Sequence, residues 1–167
     1  MKAVGSPEFH SGLGWDSHRL VEGRPLVLGG VRVPHEKGLE GHSDADVLTH
    51  AVTDAILGAA AQGDLGLHFP DNDPRWKGSD SLQMLHHAVQ LVRTTGFDVV
   101  NVDATVILER PKLADYRVAI RDRLAGVLGI PVDRVSVKFK TAEGLGPVGE
   151  GRSAEAQAVC TLVRRAG

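Results

Sequence analysis

The sequence predicts one α+β domain in which helices cover one face of a small mixed four-stranded sheet, with a short hairpin beside it. Segments rich in β-branched residues alternate with segments of helical periodicity in the order β-β-α-α-β-α-β. The length of 167 residues suits one domain with its own core and is short for two. We assign residues 10–167 to that domain. Residues 1–9 are expected to be a disordered or vector-derived N-terminus, because Gly5 to Phe9 resembles a cloning scar.

The first predicted elements are a strand and a hairpin. The strand is expected over Gly12 to Leu20, where Asp16 and His18 are two apart and therefore point to the same face. The hairpin is expected over Leu26 to Val33, with Gly29-Gly30 at its turn. A polar loop then leads to residue 41.

The segment after this loop predicts a helix over residues 44–61 that carries several polar groups. Ser43 is the expected N-cap, and Asp46 completes an acidic capping box. Asp46 and His50 are four apart and share a helix face. His42 is expected beside the unpaired N–H groups of the first turn, which favour an anion such as phosphate.

The rest of the chain supplies two loops and five further elements. Phe69 to Pro74 is an acidic, proline-bounded loop in which Asp71 and Asp73 fit either a turn or a flap over a site. A helix capped by Ser79 or Asp80 ends near Gly96, and its His86-His87 pair is expected on the surface. The remaining elements are a strand over 99–108, a helix over 113–128, a strand over 135–139, a glycine-rich loop over 140–147 and a strand over 154–163.

Composition excludes several functional classes. The formal net charge of −2 and the 4% aromatic content argue against a nucleic-acid partner. No stretch has transmembrane length, and we expect no secretory signal or membrane partner. The one cysteine, Cys160, lies in an apolar run and is expected to be buried and reduced, which suggests the cytoplasm.

The spacing of histidines and carboxylates predicts a metal centre. Asp16 and His18 from the strand, with His50 from the helix, form a His₂Asp set that leaves a fourth position open, as catalytic zinc sites do. The same set accepts Mn²⁺ or Co²⁺. His42 competes with His50, which we prefer because its helical position fixes the ring. Glu143 in the glycine-rich loop suits a second ion, Mg²⁺ or Mn²⁺, that also touches phosphates.

Several motifs extend this pattern along the chain. They are Gly14-x-Asp16-x-His18-Arg19-Leu20, Gly41-His42-Ser43-Asp44-Ala45-Asp46-Val47, Gly63-Asp64-Leu65-Gly66, Phe69-Pro70-Asp71-x-Asp73-Pro74 and Pro111-Lys112-Leu113. Together they resemble the signatures of the 2-C-methyl-D-erythritol 2,4-cyclodiphosphate synthase family, from about residue 12 to the C-terminus.

The resemblance implies a bacterial, cytoplasmic lyase of the non-mevalonate isoprenoid pathway. Such enzymes convert 4-diphosphocytidyl-2-C-methyl-D-erythritol 2-phosphate to the cyclic diphosphate and release CMP. The 2-phosphate of the substrate attacks the β-phosphorus, so no protein nucleophile is needed. The family is a homotrimer whose sheets face the three-fold axis and whose active sites lie between subunits.

The resemblance also implies roles for single residues. Asp16, His18 and His50 match zinc ligands, Glu143 matches the residue that holds the second ion, and His42, Asp46 and Glu143 are placed at the catalytic centre. The implied substrate-binding residues are Ser43, Asp64, Gly66, Phe69, Asp71, Asp73, Pro111, Lys112, Leu113, Phe139 and Thr141.

Two alternatives remain at this point. The first is a zinc-dependent phosphate-ester hydrolase in which Asp46 serves as the base for a metal-bound water. The second is a metal- or ligand-binding trimer without catalytic activity. The flap and the two phosphate-compatible loops favour an enzyme over the binding protein.

Overall fold

The chain folds around a mixed five-stranded sheet, seen in a computed structural model that describes residues 6–70, 72–76 and 78–166. The strands are β1 (Phe9–Glu22), β2 (Leu26–Leu28), β3 (Val31–Val33), β4 (Lys37–Leu39), β5 (Phe97–Ile107), β6 (Val135–Lys140) and β7 (Ser153–Arg164). The large sheet has the order β4-β1-β7-β5-β6, with β5 and β6 parallel and the other neighbours antiparallel. The strands β2 and β3 form a separate hairpin.

The helices lie on one face of this sheet. They are α1 (Val47–Ala59), α2 (Leu65–His68), α3 (Ser81–Thr94), α4 (Arg117–Leu128) and α5 (Gly146–Gly149). In β7 the even-numbered residues are mostly buried towards the helices, and in β1 most even-numbered residues are less exposed than their odd-numbered neighbours. The predicted α+β class with helices on one face is therefore confirmed. Among the described residues, no helix is both long and apolar enough to cross a bilayer.

The apolar core lies between the sheet and the three long helices. Leu48 and Ile56 of α1, Leu85 of α3 and Leu124 of α4 are fully buried there with Leu162 of β7. Cys160 is also fully buried in this layer, as its apolar surroundings in the sequence predicted.

The strand count is the main correction to the predicted fold. The segment expected as a polar loop contains β4, which pairs with the end of β1 through Leu20 and Leu39. β4 has only three residues, too few to show an alternating pattern in sequence. At the centre of β4, a Cβ on Gly38 would lie 2.2 Å from the Pro25 carbonyl oxygen, so the close approach of the two backbone segments requires glycine at this position.

The turn and cap signals agree with the structure more closely. Gly29 and Gly30 have φ angles of 58° and 73°, as a two-residue hairpin turn of the I′ type requires. Asp80 caps α3 by accepting a hydrogen bond from the backbone N–H of Leu82. Helix α4 ends at Gly129, which adopts the left-handed conformation.

The first strand begins inside the segment 1–9 that the sequence analysis set apart. Phe9, placed in the N-terminal segment by its resemblance to a cloning scar, is the first residue of β1 and pairs with Val163. The segment 1–5 lies outside the described residues.

Two glycines of β1 let α1 approach the sheet closely. A Cβ on Gly12 would lie 2.0 Å from the Ala55 carbonyl oxygen, and one on Gly14 would lie 1.9 Å from that of Ala51. The same face of β1 continues to Asp16. Because His50 precedes Ala51 in α1, this close packing brings its ring towards that carboxylate.

Candidate active site and metal centre

Three side chains from β1 and α1 present their donor atoms to one point. Asp16 Oδ2 lies 3.0 Å from His18 Nε2 and 3.0 Å from His50 Nδ1, and the two histidine nitrogens are 3.2 Å apart. Donors that share a zinc ion at about 2.0–2.2 Å are roughly 3 Å apart. The structure therefore brings together the three residues that the sequence pattern grouped, and this group could hold a metal ion.

The charges at this centre suit a cation. Burial would raise the pKa of Asp16, but hydrogen bonds with His18 and His50 outweigh it and lower the pKa to about 2. Burial also tends to lower the pKa of His18, yet the Asp16 carboxylate raises it above its ordinary value. Asp16 is thus an ionised donor at neutral pH, and each histidine lies beside a negative charge.

Both histidines are held by their second ring nitrogen. His18 Nδ1 lies 2.7 Å from the carbonyl oxygen of Glu40, which fixes the hydrogen on Nδ1 and leaves Nε2 for the centre. His50 Nε2 lies 2.9 Å from the hydroxyl oxygen of Ser81, which is fully buried at the start of α3. Sequence reasoning missed Ser81, because it is 31 residues from His50 and its position also fits an ordinary helix start.

A cavity of about 590 Å³ opens beside the centre. Five of the predicted catalytic and substrate-binding residues line it, namely His42, Ser43, Gly66, Phe69 and Asp73. Asp64 does not line it, and its carboxylate caps α2 by accepting a hydrogen bond from the backbone N–H of Leu67 at 2.9 Å. Asp71 lies outside the described residues.

The loop that borders this cavity is held by aromatic contacts. The Phe69 ring is buried, and its centre lies 4.8 Å from that of Trp76 in an edge-to-face arrangement. His87 of α3 adds a second edge contact to Phe69 at 5.5 Å, although both His86 and His87 are exposed as predicted. Asp73 hydrogen-bonds Arg75, which lowers the pKa of its carboxyl.

A second, smaller cavity of about 200 Å³ contains the other predicted substrate-binding residues. Pro111, Lys112, Leu113, Phe139 and Thr141 line it, together with Arg117, whose guanidinium carbon is 5.2 Å from the centre of the Phe139 ring. It shares no lining residue with the first cavity.

Glu143 lines neither of these two cavities. It is exposed, has a φ of 53°, and accepts a hydrogen bond from the Thr141 hydroxyl at 2.7 Å. Thr141 does line the second cavity, so Glu143 is tied to the edge of that site.

Asp46 is not in the position expected of a catalytic residue. It is fully buried and does not line the cavity beside the metal centre. Its carboxylate accepts hydrogen bonds from the backbone N–H groups of Gly29, Gly30 and Thr49 and from the Thr49 hydroxyl, at 2.7–2.9 Å. Burial raises the pKa of Asp46 against the effect of these donors. These hydrogen bonds tie the start of α1 to the hairpin turn.

The start of α1 also differs from the prediction. Asp46, not Ser43, is the N-cap, and the Ser43 hydroxyl instead accepts a hydrogen bond from the backbone N–H of Ala45 at 3.1 Å. The Asp46 carboxylate accepts the backbone N–H of Thr49 at this terminus, and the anion cradle expected there stays a prediction. His42 and Ser43 still line the cavity and could meet a phosphate there.

Comparison with known proteins identifies relatives of the whole domain. The model of the YgbB family matches residues 9–163. A 2-C-methyl-D-erythritol 2,4-cyclodiphosphate synthase from Solibacter usitatus is 68% identical over 155 residues, which cover 93% of this chain and 98% of the relative. One from Laribacter hongkongensis is 60% identical, covering 92% and 95% of the two chains.

Solved structures give the same result. A 2C-methyl-D-erythritol-2,4-cyclodiphosphate synthase in a CDP-bound form is 44% identical, with a TM-score of 0.85 over 91% of this chain and 99% of that one. With a match across nearly all of its length and relatives at this level of identity, the chain belongs to the YgbB family, whose curated relatives here are 2-C-methyl-D-erythritol 2,4-cyclodiphosphate synthases.

Proposed function

We propose that the protein is a lyase that converts 4-diphosphocytidyl-2-C-methyl-D-erythritol 2-phosphate to 2-C-methyl-D-erythritol 2,4-cyclodiphosphate and CMP. The observation that carries the proposal is the convergence of Asp16, His18 and His50 beside the larger cavity in a chain of this family. The bound CDP named for a solved relative supports a cytidine diphosphate substrate.

The reaction needs positioning more than protein nucleophiles. An oxygen of the 2-phosphate forms a bond with the β-phosphorus, while the bond from that phosphorus to the bridging oxygen of the α-phosphate breaks and CMP leaves with the electron pair. Both reacting groups belong to one substrate, so the protein must hold them in line and balance the charge that spreads over the phosphoryl oxygens.

Asp16, His18 and His50 would hold Zn²⁺, with Mn²⁺ or Co²⁺ as alternatives for the same donor set. Three protein donors leave a position for a substrate oxygen, and a metal ion bound there supplies Lewis-acid polarisation of a phosphoryl group. Glu143 would bind a second ion, Mg²⁺ or Mn²⁺, together with the substrate diphosphate.

The two cavities divide the substrate between them. His42 and Ser43 would contact its phosphates beside the centre, and Gly66, Phe69 and Asp73 would border the methylerythritol part. Asp64 and Asp71 would contact the same part of the substrate. Pro111, Lys112, Leu113, Phe139 and Thr141 would bind the cytidine.

A homotrimer would bring these halves together. On one chain the two cavities are separate, so the cytidine cavity of one subunit would complete the metal-centre cavity of its neighbour. On the sheet face turned away from the helices, the large apolar residues Leu13, Trp15 and Val159 are 71%, 54% and 46% exposed among the described residues. Burying this face around a three-fold axis would remove that surface from water.

The hydrolase alternative has no support from the position of Asp46, the residue expected to be its general base. It required Asp46 near the open metal position, but that carboxylate is enclosed by four hydrogen-bond donors under the Gly29-Gly30 turn. The binding-protein alternative does not explain the second cavity, which the predicted cytidine-binding residues line. We therefore retain cyclisation, in the bacterial cytoplasm, as the proposed function.

The test is turnover of the diphosphocytidyl substrate by protein loaded with Zn²⁺ and Mg²⁺, followed by ³¹P NMR. We expect CMP and a cyclic diphosphate in equal amounts. His50→Ala should lose both bound zinc and turnover, whereas Glu143→Ala should lose turnover and keep zinc. An open-chain product would contradict cyclisation, and zinc loss in Glu143→Ala would contradict the division of the two metals.

A further inference from the structure

The second nitrogen of His50 begins a directed chain of hydrogen bonds into the protein. His50 Nε2 lies 2.9 Å from Ser81 Oγ, and the Ser81 hydroxyl donates to Asp44 Oδ1. The other oxygen, Asp44 Oδ2, accepts from the backbone N–H of Ser81 at 3.1 Å. Asp44 and Ser81 are held together by a backbone contact as well, since the Asp44 N–H donates to the Ser79 carbonyl at 3.2 Å.

The direction of this chain decides the tautomer of His50. An ionised carboxylate only accepts hydrogen bonds, so the hydrogen of the Ser81 hydroxyl must point to Asp44. The lone pairs of Ser81 Oγ then remain for a hydrogen on His50 Nε2. A neutral imidazole with its hydrogen on Nε2 has a free lone pair on Nδ1, the atom that faces Asp16 and His18.

We propose that Ser81 and Asp44 are positioning residues that hold the His50 ring with Nδ1 available as the third metal donor. This inference rests on the proposed metal centre and goes beyond it by assigning a role to two residues outside the donor set. His18 is held in the same way by a backbone carbonyl, which no side-chain substitution removes. His50 therefore depends on a side-chain relay where His18 does not.

Ser43 is the competing partner for the same nitrogen. Its hydroxyl oxygen is 3.3 Å from His50 Nε2, longer than the contact from Ser81, and it already accepts a hydrogen bond from the N–H of Ala45. Among the described residues, no carboxylate accepts a hydrogen bond from the Ser43 hydroxyl, so the direction of its hydrogen is not fixed. Ser81 is thus the stronger candidate to orient the ring.

The experiment compares zinc affinity across matched variants of the full chain by competition with a chromophoric chelator. We expect Ser81→Ala to weaken zinc binding about 10–100-fold, as loss of such a partner typically does. Asp44→Asn should also weaken it, because its amide can donate to Ser81 and release the serine hydrogen towards His50. Ser79→Ala removes a neighbouring hydroxyl whose hydrogen bond, among the described residues, goes to the Trp76 carbonyl and not to His50 or Asp44, so its zinc affinity should equal that of the wild type.

A second readout separates orientation from folding. NMR of ¹⁵N-histidine-labelled wild type should show the hydrogen of His50 on Nε2, and turnover of Ser81→Ala should recover at saturating zinc. Wild-type affinity in Ser81→Ala, a stronger effect in Ser43→Ala, or a hydrogen on Nδ1 would overturn the positioning role while leaving the metal centre intact. Failure of the wild type to bind any divalent ion would overturn the metal centre and this inference with it.

Discussion

The Asp46 carboxylate joins two parts of the chain that carry the site. It caps α1, which holds His50, and it also accepts the backbone N–H groups of Gly29 and Gly30 at the hairpin turn. Such a group is expensive to remove, because each buried donor that it satisfies would lose its partner.

Asp46→Ala should therefore lower the free energy of unfolding by roughly 1–3 kcal/mol, since it removes a cap and leaves buried donors unpaired. Urea denaturation of the metal-free protein measures this directly. Asp122→Ala is the matched control, because Asp122 is exposed on α4, and it should change stability by no more than about 0.5 kcal/mol. Equal stability of the two variants would contradict this stabilising role of Asp46.

Cys160 gives a pH-dependent prediction. Burial raises the pKa of its thiol to about 12, so the reactive thiolate is scarce at any pH at which the fold is stable. The native protein should leave Ellman's reagent unreacted at mildly alkaline pH, and denaturant should release one thiol, the single cysteine of the chain. Rapid reaction of the native protein would show that the thiol is accessible.

For single residues, the sequence predicted the three metal-binding side chains but not the residues that hold them in place. Asp16 and His18 share a strand face and His50 a helix face, which are regular geometries that spacing encodes. Ser81 reaches His50 through tertiary packing of α3 on α1, for which no local spacing exists. The sequence predicted Ser43 as the N-cap of α1 because Ser43 and Asp46 are both good N-cap residues. Hydrogen bonds from the distant hairpin turn to the Asp46 carboxylate favour Asp46 in the structure.

Among the elements, the contact between β1 and α1 sets the geometry of the metal centre. It requires glycine on the strand, since a Cβ on Gly14 would lie 1.9 Å from the backbone oxygen of Ala51. The helix can then carry His50 to within 3.0 Å of Asp16.

Gly14→Ala should push α1 away from β1, cost about 1–3 kcal/mol of stability, and weaken zinc binding by moving His50 from Asp16. Gly58→Ala, within α1 itself, is the control. A Cβ at Gly58 would meet no atom of the described residues within 4 Å, and alanine is the better helix former, so stability should rise by up to about 1 kcal/mol. Unfolding experiments and zinc titrations of both variants check this. A Gly14→Ala variant that is destabilised but binds zinc with wild-type affinity would show that the contact between α1 and β1 does not set the geometry of the metal centre.

Elements marked by strong local signals were predictable, including the hairpin of the three-residue strands β2 and β3, and the short edge strand β4 was not. The hairpin turn, the cap of α3 and the end of α4 follow from residues with strong local preferences, namely Gly29-Gly30, Asp80 and Gly129. The edge strand β4 was missed because its three residues gain strand structure from pairing with β1, a tertiary effect.

For the whole molecule, the uncovered sheet face and the two separate cavities lead to the same assembly. Trp15→Glu would place a charge on the apolar face that we assign to the trimer, and it should give a monomer by light scattering with zinc bound but turnover lost. Val118→Glu replaces a residue that is 68% exposed on α4, on the helix side, and should remain a trimer. A fully active Trp15→Glu monomer would contradict an active site shared between subunits.

The assembly itself could not be derived from the sequence pattern. Exposed apolar residues on alternate positions of β1 are visible only once the strand register is known, and the separation of the cavities depends on the order of the strands. The family resemblance implied the trimer, and the structure supplies the physical reason to test it.

Cyclisation is the central claim, and the origin of the product oxygens tests it most directly. The reaction would be run to completion in H₂¹⁸O, and CMP and the methylerythritol product would be weighed by mass spectrometry. If the 2-phosphate of the substrate is the nucleophile, neither product contains ¹⁸O and the diphosphate has the mass of the ring. One ¹⁸O in CMP, or in an open-chain bisphosphate heavier than the ring by one H₂¹⁸O, would show that water attacks a phosphorus and would contradict cyclisation.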